Sequence, residues 1–391
     1  MSRLPHVSIL GWYGNENAGD EAILTVLLAD LSRSIPGIKC SVFSANPEKT
    51  AETYGVSSTQ KKLTKNLFSI LQTIRKSDLL IIGGGTLTKN DPVSMLPIWF
   101  CMGIAIICRT RFLLYAQGVE RLANPIARWM TRFFVNQASL ITLREEFSRR
   151  SLIEVGVGHS IGHPKMIVTG DPGINLQSTP VNLNSALDQN LPPEAVEQFL
   201  SKPIIGICPK ANTCTSNQSV QALESEFAKL ADNLINQLHV SILFVPMQNS
   251  GFHDDYSSAN RIIREMQNSE SAKIIRGDYN PSELKGILAQ LDLVMAMRLH
   301  ALIFAASAYV PVIGISYAEK ITYFLETIDQ AEWNVDLETF SAALLSQKVN
   351  CLWPQRDLIQ QSLKRNIICY KARAATTIGY IEQLFQPDVT D

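Results

Sequence analysis

The chain has 391 residues, of which 46% are apolar, and a formal net charge of −1. This length and apolar content allow two domains with separate buried cores. The near-zero charge excludes a general electrostatic surface for nucleic acid, so any anion site has to be local. The seven cysteines form no CxxC pair, which favours reduced thiols in a cytoplasmic protein.

Two segments of the sequence bear on whether the protein contacts a membrane. The N-terminus predicts no secretion signal, because only a brief apolar run precedes the first glycine turn. The most hydrophobic segment, residues 95–108, has 14 residues, fewer than the roughly 20 that a spanning helix needs, and favours a buried helix. The alternative is a face that rests on a membrane at the periphery, because arginines follow among aromatic residues. These are Arg109, Arg111, Arg121, Arg128 and Arg132.

The first half of the chain alternates short apolar segments with helical ones. The predicted strands are 7–12, 39–44, 79–82, 112–115 and 140–142. The predicted helices are 20–33, 62–75, 92–108, 125–136 and 144–154. Because parallel strands need crossover helices, this alternation predicts a Rossmann-like α/β domain with a mostly parallel sheet covered on both faces.

A second domain of the same kind follows a polar stretch. Residues 177–202 are rich in Ser, Asn, Gln and Pro and predict the connection between domains 1–176 and 203–350. Strands are predicted at 204–208, 241–245, 272–275, 291–297 and 310–315, with helices at 219–237, 256–267, 281–289 and 301–308. The fold class is therefore α/β, with two doubly wound domains and a cleft between them. The last segment, 351–391, with a helix over 354–385, is expected to pack across the junction.

The strongest functional signal lies in residues 291–320. Arg298 and His300 stand where an apolar strand passes into a helix, and Lys320 follows the next strand after Ser316 and Tyr317. In an open α/β sheet this edge binds ligands, and a helix N-terminus there favours an anion. Arginine adds a fork of donors suited to a carboxylate or phosphate. The alternative is an arginine that caps the strand and a buried histidine that satisfies a carbonyl.

The loop after the first strand, GWYGNENAGDE, carries Asn17, Gly19, Asp20 and Glu21. It matches neither a dinucleotide fingerprint nor a P-loop. Its acids would repel a phosphate, so it suits hydrogen bonds to sugar hydroxyls, with plain turn chemistry as an equal alternative.

Other strand ends carry glycine or polar residues. The Gly83, Gly84 and Gly85 triplet would leave bare N–H groups facing the cleft, or would allow a helix to pack closely on the sheet. Arg144 could bind a ligand or form a surface ion pair within its helix. The remaining strand-end residues are Gln117, Lys210 and Gln248.

The sequence gives little sign of a metal or a nucleophile. His159 and His163 are four residues apart, but glycine and proline around them break any helix that would align them. No HExxH, EF-hand or GxSxG motif occurs, so we predict neither a metal nor a cofactor.

The ordered motifs GNENAGDEAIL, DLLIIGGGTL, YAQGV, ITLREEFS, VTGDPGI, FVPMQ and MRLHALIFAASAYVPVIGISYAEK resemble the polysaccharide pyruvyl transferase family. The resemblance covers residues 7–325. It implies a GT-B-like pair of Rossmann domains and transfer of pyruvate from phosphoenolpyruvate to a sugar as a cyclic ketal. It also implies a cell-surface glycan acceptor, often lipid-linked. The family's donor site falls on Arg298, Leu299, His300 and Lys320, with Arg144 as the arginine after the fifth strand.

Ketal formation needs a proton donor and acceptor near neutral pH, and histidine has this property. We therefore assign this role to His300, with Asp20 and Glu21 as rival bases on the acceptor side. Two other functions compete. One is a GT-B glycosyltransferase that uses a nucleotide sugar, and the other is a non-catalytic glycan-binding relative.

Overall fold

A computed structural model describes residues 3–158, 165–188, 191–250 and 253–386. The chain forms two compact units. The first comprises Met1–Asn15, Asp20–Leu176 and Lys371–Asp391, and the second comprises Glu16–Gly19 and Gln177–Tyr370. His159 and His163 lie outside the described residues.

The first unit contains one parallel sheet. Its strands are β1 (His6–Leu10), β2 (Lys39–Ser44), β3 (Ser57–Gln60), β4 (Leu79–Ile82), β5 (Gly85–Thr88), β6 (Arg111–Val119), β7 (Leu140–Leu143) and β8 (Lys165–Val168). Its helices are α1 (Ala18–Ser34), α2 (Pro47–Tyr54), α3 (Leu63–Lys76), α4 (Pro92–Cys108), α5 (Pro125–Val135) and α6 (Glu146–Glu154). The strand order is β3-β2-β1-β4-β6-β7-β8, with β5 paired to β6.

Side chains alternate across this sheet and form a separate apolar core on each face. In β4, Leu79 and Ile81 join the core under α1, whereas Leu80 and Ile82 join the core under α3, α4 and α5. This period of two is the expected one for a strand that is buried on both faces. The sheet is therefore doubly wound, as predicted.

The second unit repeats the plan. Its strands are β9 (Ile204–Cys208), β10 (Ser241–Phe244), β11 (Asn249–Ser250), β12 (His253–Asp254), β13 (Ala272–Ile274), β14 (Leu293–Ala296), β15 (Val312–Ser316) and β16 (Asn334–Asp336). Its helices are α7 (Leu183–Ala186), α8 (Pro193–Leu200), α9 (Val220–Leu238), α10 (Asp255–Glu265), α11 (Pro281–Leu288), α12 (Leu299–Ser307), α13 (Glu319–Thr327) and α14 (Ala342–Leu352), followed by α15 (Arg356–Gln383). The six-stranded parallel sheet has the order β13-β10-β9-β14-β15-β16, so the order reverses between β9 and β14.

Helix starts follow from local capping. Asn46, Asp91 and Asn124 each accept hydrogen bonds from the first-turn N–H groups of a helix that begins with proline. These side chains satisfy donors that have no partner inside the helix, and proline has no N–H to lose there. The predicted start of α4 at residue 92 is confirmed for this reason.

Most predicted strands and helices are confirmed within a few residues, whereas several other elements were not predicted. The strand Ser57–Gln60 has no apolar alternation, and α13 and α14 fall in stretches that the sequence left unassigned. Two short helices, α7 and α8, lie within the segment predicted as the connection. All seven cysteines are free thiols.

The apolar segment 95–108 lies within α4, which is only partly buried. Met95, Trp99 and Met102 enter the core, whereas Val93, Phe100 and Ile107 are exposed. The expectation of a buried helix therefore holds for one side of α4 only. Across the described residues, none of the helices combines the length and the apolar character that crossing a bilayer requires.

We predict that Gly286→Ala destabilises the second unit. An added Cβ would lie 1.9 Å from the carbonyl oxygen of Thr179, which is backbone and cannot rotate away. The Thr179 N–H also donates to Ser282 O at 2.9 Å, which fixes the segment against α11. Overpacking of this kind costs about 1–3 kcal/mol, to be measured by denaturant unfolding.

The matched control is Gly379→Ala, where an added Cβ meets no described atom within 4 Å. Alanine in that helical position should leave stability unchanged or raise it slightly. Equal unfolding free energies for Gly286→Ala and the wild type would contradict the close packing against Thr179.

Candidate functional site

Several polar side chains gather at the carboxyl ends of the strands of the second sheet. Lys210 follows β9, Gln248 follows β10, Arg298 follows β14 and Tyr317 follows β15. Strands β9 and β14 are neighbours at the point where the strand order reverses. Open α/β sheets bind ligands at this position, so the topology places these residues at a candidate site.

A buried carboxylate, Asp255, organises these strand ends. Its side chain is 0% exposed and receives both arms of the Arg298 guanidinium, Nε to Oδ2 at 2.9 Å and Nη2 to Oδ1 at 2.7 Å. It also accepts backbone N–H groups from Ala211, at 3.0 Å, and from Met247 and Gln248, at 3.3 and 3.1 Å. One carboxylate therefore ties together the loops after β9 and β10 and the end of β14.

Arg298 is paired within the protein, and its predicted role in binding a ligand stays a prediction. The fork of donors predicted to hold a ligand faces Asp255, and Nη1 donates to Gln248 Oε1 at 3.1 Å. Its side chain is 11% exposed. Within the site, Arg298 is therefore first of all the counter-charge of Asp255.

Residues 16–19, which belong to the second unit, join this network. Ala18 N donates to Met247 O at 3.0 Å, and Asn17 Nδ2 donates to Gln248 Oε1 at 3.2 Å. Asn17 Oδ1 accepts the Gly19 N–H at 2.9 Å. The Asn17 side chain thus connects the loop after β10 to Gly19.

Gly19 lies directly against the imidazole of His300. A Cβ at Gly19 would be 1.9 Å from His300 Nδ1, so only glycine leaves room for the ring. His300 is the second residue of α12, half-buried, with its ring 6.2 Å from that of Phe304. Glycine is required here by the close approach rather than by backbone strain, because α1 has begun at Ala18.

Two lysines lie over the ring of Tyr317. Lys210 Nζ is 4.9 Å and Lys320 Nζ is 5.2 Å from the ring centroid. Among the described residues, neither lysine forms an ion pair with a carboxylate. These two ammonium groups therefore supply the excess positive charge of the cluster.

The electrostatics of this cluster are coupled. Burial lowers the pKa of Lys210, and the charges of Arg298 and Lys320 lower it further. Burial alone would raise the pKa of Tyr317, but the charges of Lys320, Lys210 and Arg298 outweigh burial and lower it. The neighbouring cations lower both pKa values, and for Lys210 this adds to the larger effect of burial.

Leu299 and Ser316, two other predicted site residues of the segment 291–320, have contacts that stabilise the fold. Leu299 is buried in the first turn of α12. Ser316 Oγ donates to Val335 O at 3.3 Å and accepts from Asn334 Nδ2 at 3.1 Å, which links β15 to the neighbouring strand. Substrate contacts of Leu299 and Ser316 stay predictions.

In the first unit, Arg144 is buried and does not form the surface ion pair given as its alternative. It precedes α6, its side chain is 5% exposed, and Nε donates to Glu145 Oε2 at 2.7 Å. Nη1 lies 3.5 Å from Asp171 Oδ2, and Nη2 donates to Thr86 Oγ1 at 3.3 Å. These contacts hold Arg144 at the ends of β5 and β7, and its role in binding stays a prediction.

The glycine triplet and Gln117 form mainly structural contacts within the first sheet and with α1. The Gly83 N–H donates to Leu10 O at 2.6 Å, so the expectation of bare N–H groups is wrong at that residue. A Cβ at Gly84 would meet Ile23 of α1 at 2.8 Å, which is the predicted close packing, and Gly85 has a φ of 95°. The buried Gln117 amide donates to the carbonyls of Ile82 and Gly83.

The loop after β1 shows the turn chemistry given as one alternative. Glu21 Oε1 accepts the Gly14 N–H at 2.7 Å, and Oε2 accepts the Tyr54 hydroxyl at 2.8 Å. Glu21 is thereby committed to holding the loop. Burial lowers the pKa of Lys61 to about 8, an effect that the charges of Asp20 and Glu21 oppose. The sequence analysis missed Lys61.

The main omission of the sequence analysis is Asp255. It stands beside Asp254 in a polar stretch that resembles an ordinary helix start, and Asp254 does act as the cap of α10. Only its position immediately before the predicted helix 256–267 pointed to a special role. Among the residues that the structure describes, no group of three or more His, Cys, Asp or Glu side chains could hold a metal ion.

Solved structures with the same fold cover nearly the whole chain. The MnaA–UDP co-structure from S. aureus matches with 12% identity, full coverage of both chains and a TM-score of 0.65. A glycosyltransferase from Rickettsia africae matches with 15% identity, 98% coverage of this chain, 100% of its own and a TM-score of 0.61. Anabaena Alr3699/HepE, in complex with UDP and glucose, matches with 13% identity, 97% and 99% coverage and a TM-score of 0.57. At these identities the likeness shows the fold alone, and it confirms the GT-B-like α/β architecture.

A search of the curated proteins finds no match. The family described as polysaccharide pyruvyl transferase matches residues 17–319. This match confirms the resemblance drawn from the ordered motifs. The chain belongs to the polysaccharide pyruvyl transferase family, whose members are enzymes that transfer pyruvate to polysaccharide.

Proposed function

We propose that this enzyme takes pyruvate from phosphoenolpyruvate and attaches it, as a cyclic ketal, to a sugar of a lipid-linked cell-surface glycan precursor, with release of phosphate. The observation that carries the proposal is the excess positive charge around Tyr317. Arg298 is matched by Asp255, whereas Lys210 and Lys320 have no carboxylate partner among the described residues. Phosphoenolpyruvate carries both a phosphate and a carboxylate, and fixed cations at strand ends favour such a ligand.

The proposed reaction begins with transfer of a proton to the methylene carbon of phosphoenolpyruvate. This step creates a methyl group and an oxocarbenium centre, which one sugar hydroxyl attacks with loss of its proton. Phosphate then leaves with the electrons of its bond to that carbon. A second hydroxyl of the same sugar attacks, also loses a proton and closes the ketal. One proton enters and two leave, so the products are the ketal and hydrogen phosphate.

His300 is the proposed proton donor and acceptor. An imidazole can exchange a proton near neutral pH without a large shift of its pKa. The contact with Gly19 supports this role, because backbone packed against the ring restricts its orientation. Positional restriction of a proton-transfer group contributes to catalysis by limiting unproductive geometries. Asp20 remains the rival base on the acceptor side.

Nucleotide sugars are the competing ligands. The S. aureus structure is a complex with UDP and the Anabaena structure a complex with UDP and glucose, and an anion site suited to phosphoenolpyruvate could also hold a diphosphate. Thermal shift with phosphoenolpyruvate, UDP and UDP-sugars would separate the two, because a ligand that binds only the folded state raises its stability.

The direct test is a transfer assay. The enzyme is incubated with phosphoenolpyruvate and a set of lipid-linked saccharides, and the products are examined by mass spectrometry. An acceptor that gains one pyruvyl group with equimolar phosphate supports the proposal. Glycosyl transfer from a UDP-sugar, with no pyruvylated product, would replace it with the glycosyltransferase alternative.

His300→Ala and Lys320→Ala should separate catalysis from binding. Loss of the proton-transfer group should lower kcat by about 10²–10⁴ with a small change in phosphoenolpyruvate affinity. Loss of Lys320 should mainly raise the KM for phosphoenolpyruvate, because a ground-state charge contact is removed. Steady-state kinetics on the same acceptor give both parameters.

The control is Lys364→Ala, which removes an exposed lysine of α15 and should leave both constants unchanged.

Arg298 is unsuitable for this comparison. Removing it would leave Asp255 buried without its counter-charge, at a cost of roughly 3–5 kcal/mol in stability. Full turnover in His300→Ala would remove the histidine from the proposed mechanism.

Gly19→Ala should lower turnover through His300. The new methyl group would occupy the space 1.9 Å from Nδ1, so the ring has to move. We expect kcat to fall by about tenfold to a hundredfold, because a small misplacement of a catalytic group is costly. Gly103→Ala is the control, since its Cβ would meet Phe134 at an ordinary 3.6 Å. Unchanged kinetics in Gly19→Ala would show that the contact with His300 does not matter.

Phosphoenolpyruvate affinity should decline on the alkaline side as Lys210 loses its proton. The pKa of Lys210 lies below the ordinary 10.5, so its charge is present at low pH and is lost as pH rises through the lowered pKa. Lys210→Arg should move this decline to higher pH, because arginine stays protonated. The measurement is KM against pH.

Tyr317→Phe serves as the second arm of that experiment. The lowered pKa of Tyr317 would place a negative charge at the site over the alkaline range. If the decline is unchanged in Lys210→Arg and disappears in Tyr317→Phe, the tyrosine rather than the lysine is responsible.

A further inference from the structure

The outward faces of α3, α4 and α5 carry a concentration of exposed apolar side chains. Ten of the fifteen strongly exposed large apolar side chains of the described residues lie within residues 67–133. Scattered exposed apolar residues are normal, but a contiguous group marks an interaction surface. The ten are Leu67, Phe68, Leu71, Val93, Leu96, Phe100, Ile107, Ile126, Trp129 and Phe133, hereafter the apolar surface.

Helical spacing places these residues on one side of each helix. In α5, Ile126, Trp129 and Phe133 have the spacing i, i+3, i+7, and the last two rings stack with centroids 6.2 Å apart. Val93, Leu96 and Phe100 follow the same spacing in α4. In each helix the opposite side is buried.

The three helices form one layer. Their buried sides share a single core on one face of the first sheet, and α4 packs against both α3 and α5. Because the inward sides point to one core, the outward sides point away from the sheet together. The apolar side chains of the three helices therefore face the same side of the unit.

Positive charge accompanies the apolar surface. Residues 62–135 contain ten lysines and arginines and three acidic residues, a formal charge of +7, while the whole chain has −1. Four exposed cations lie at the C-terminal ends of α3 and α4 and at the start of β6. These positions are neighbours because β4, which follows α3, pairs with β6, which follows α4, through Leu79 and Arg111. The four cations are Arg75, Lys76, Arg109 and Arg111.

We propose that the apolar surface docks onto an anionic lipid bilayer, with α3, α4 and α5 lying against the interface. Apolar and aromatic side chains bordered by arginine and lysine match such a surface in both hydrophobicity and charge. Tryptophan and its neighbouring phenylalanines have the amphipathic and aromatic character found at the lipid headgroup level. This docking does not depend on the identity of the donor substrate.

The test is sedimentation of the full chain with vesicles. The wild type should bind phosphatidylcholine vesicles that contain phosphatidylglycerol more strongly than pure phosphatidylcholine, and added salt should weaken binding. Trp129→Ser with Phe133→Ser should lower the partition coefficient by about a hundredfold, because two large apolar contacts are lost. Arg75→Ala with Arg111→Ala should lower it by about thirtyfold on the anionic vesicles.

The matched control is Leu358→Ser with Ile368→Ser, which removes two exposed apolar side chains of the second unit. Its partition coefficient should stay within about twofold of the wild type, because those side chains lie outside the apolar surface. A second readout uses lipids with brominated acyl chains, which quench inserted tryptophan. Quenching should disappear in Trp129→Phe and persist in Trp12→Phe.

Three outcomes would overturn the docking proposal. These are equal binding to neutral and anionic vesicles, unchanged binding in the Trp129 and Phe133 variant, or a wild-type dimer that this variant converts to monomer. The last result would identify the apolar surface as a contact between two copies of the chain. Because the test needs no substrate, its failure leaves the proposed pyruvyl transfer untouched, and failure of the transfer assay leaves docking untouched.

Discussion

The ion pair between Arg298 and Asp255 is the interaction on which the candidate site depends. A fully buried carboxylate is strongly unfavourable unless charge and hydrogen bonds compensate for lost water. Here the compensation comes from the Arg298 fork and from backbone N–H groups of Ala211, Met247 and Gln248. These donors come from three different strand ends, so the loops can satisfy Asp255 only in one mutual arrangement.

The pairing of Arg298 with Asp255 determines which positive charges of the site have no carboxylate partner among the described residues. Because Arg298 is already matched, Lys210 and Lys320 are the excess cations that the ligand proposed at the strand ends would meet, and both lie over the Tyr317 ring. Both lysines are half-buried, so water screens their attraction for an anion less than it would at a fully exposed position. Burial also lowers the pKa of Lys210, so the desolvation that would favour the proposed binding would also limit its pH range.

Sequence reasoning succeeded where one local rule decides the outcome. Buried parallel strands such as β9 and β14 are continuous apolar runs, and the ligand edge of such a sheet follows from topology, so Lys210, Gln248 and Tyr317 could be placed together in advance. It failed where a contact joins residues far apart in the chain. Nothing local indicated that Asp255 pairs with Arg298 or that Gly19 lies against His300. The strand Ser57–Gln60 was missed because its pairing with β2, not its composition, makes it a strand.

The layering of the first unit allows a membrane contact and an open ligand edge to coexist. Helices α3, α4 and α5 run along the face of the sheet, while the loops after β1 and β6 lie at the carboxyl edge of its strands. A bilayer against the proposed docking surface would therefore cover the helices without covering that edge. A lipid-linked acceptor would be held near the interface by its own anchor, and docking would raise its effective concentration at the enzyme without any new contact to the sugar. Under the proposed docking, the exposed apolar side chains would serve delivery of the acceptor, and the proposed chemistry would take place at the strand ends of the second sheet.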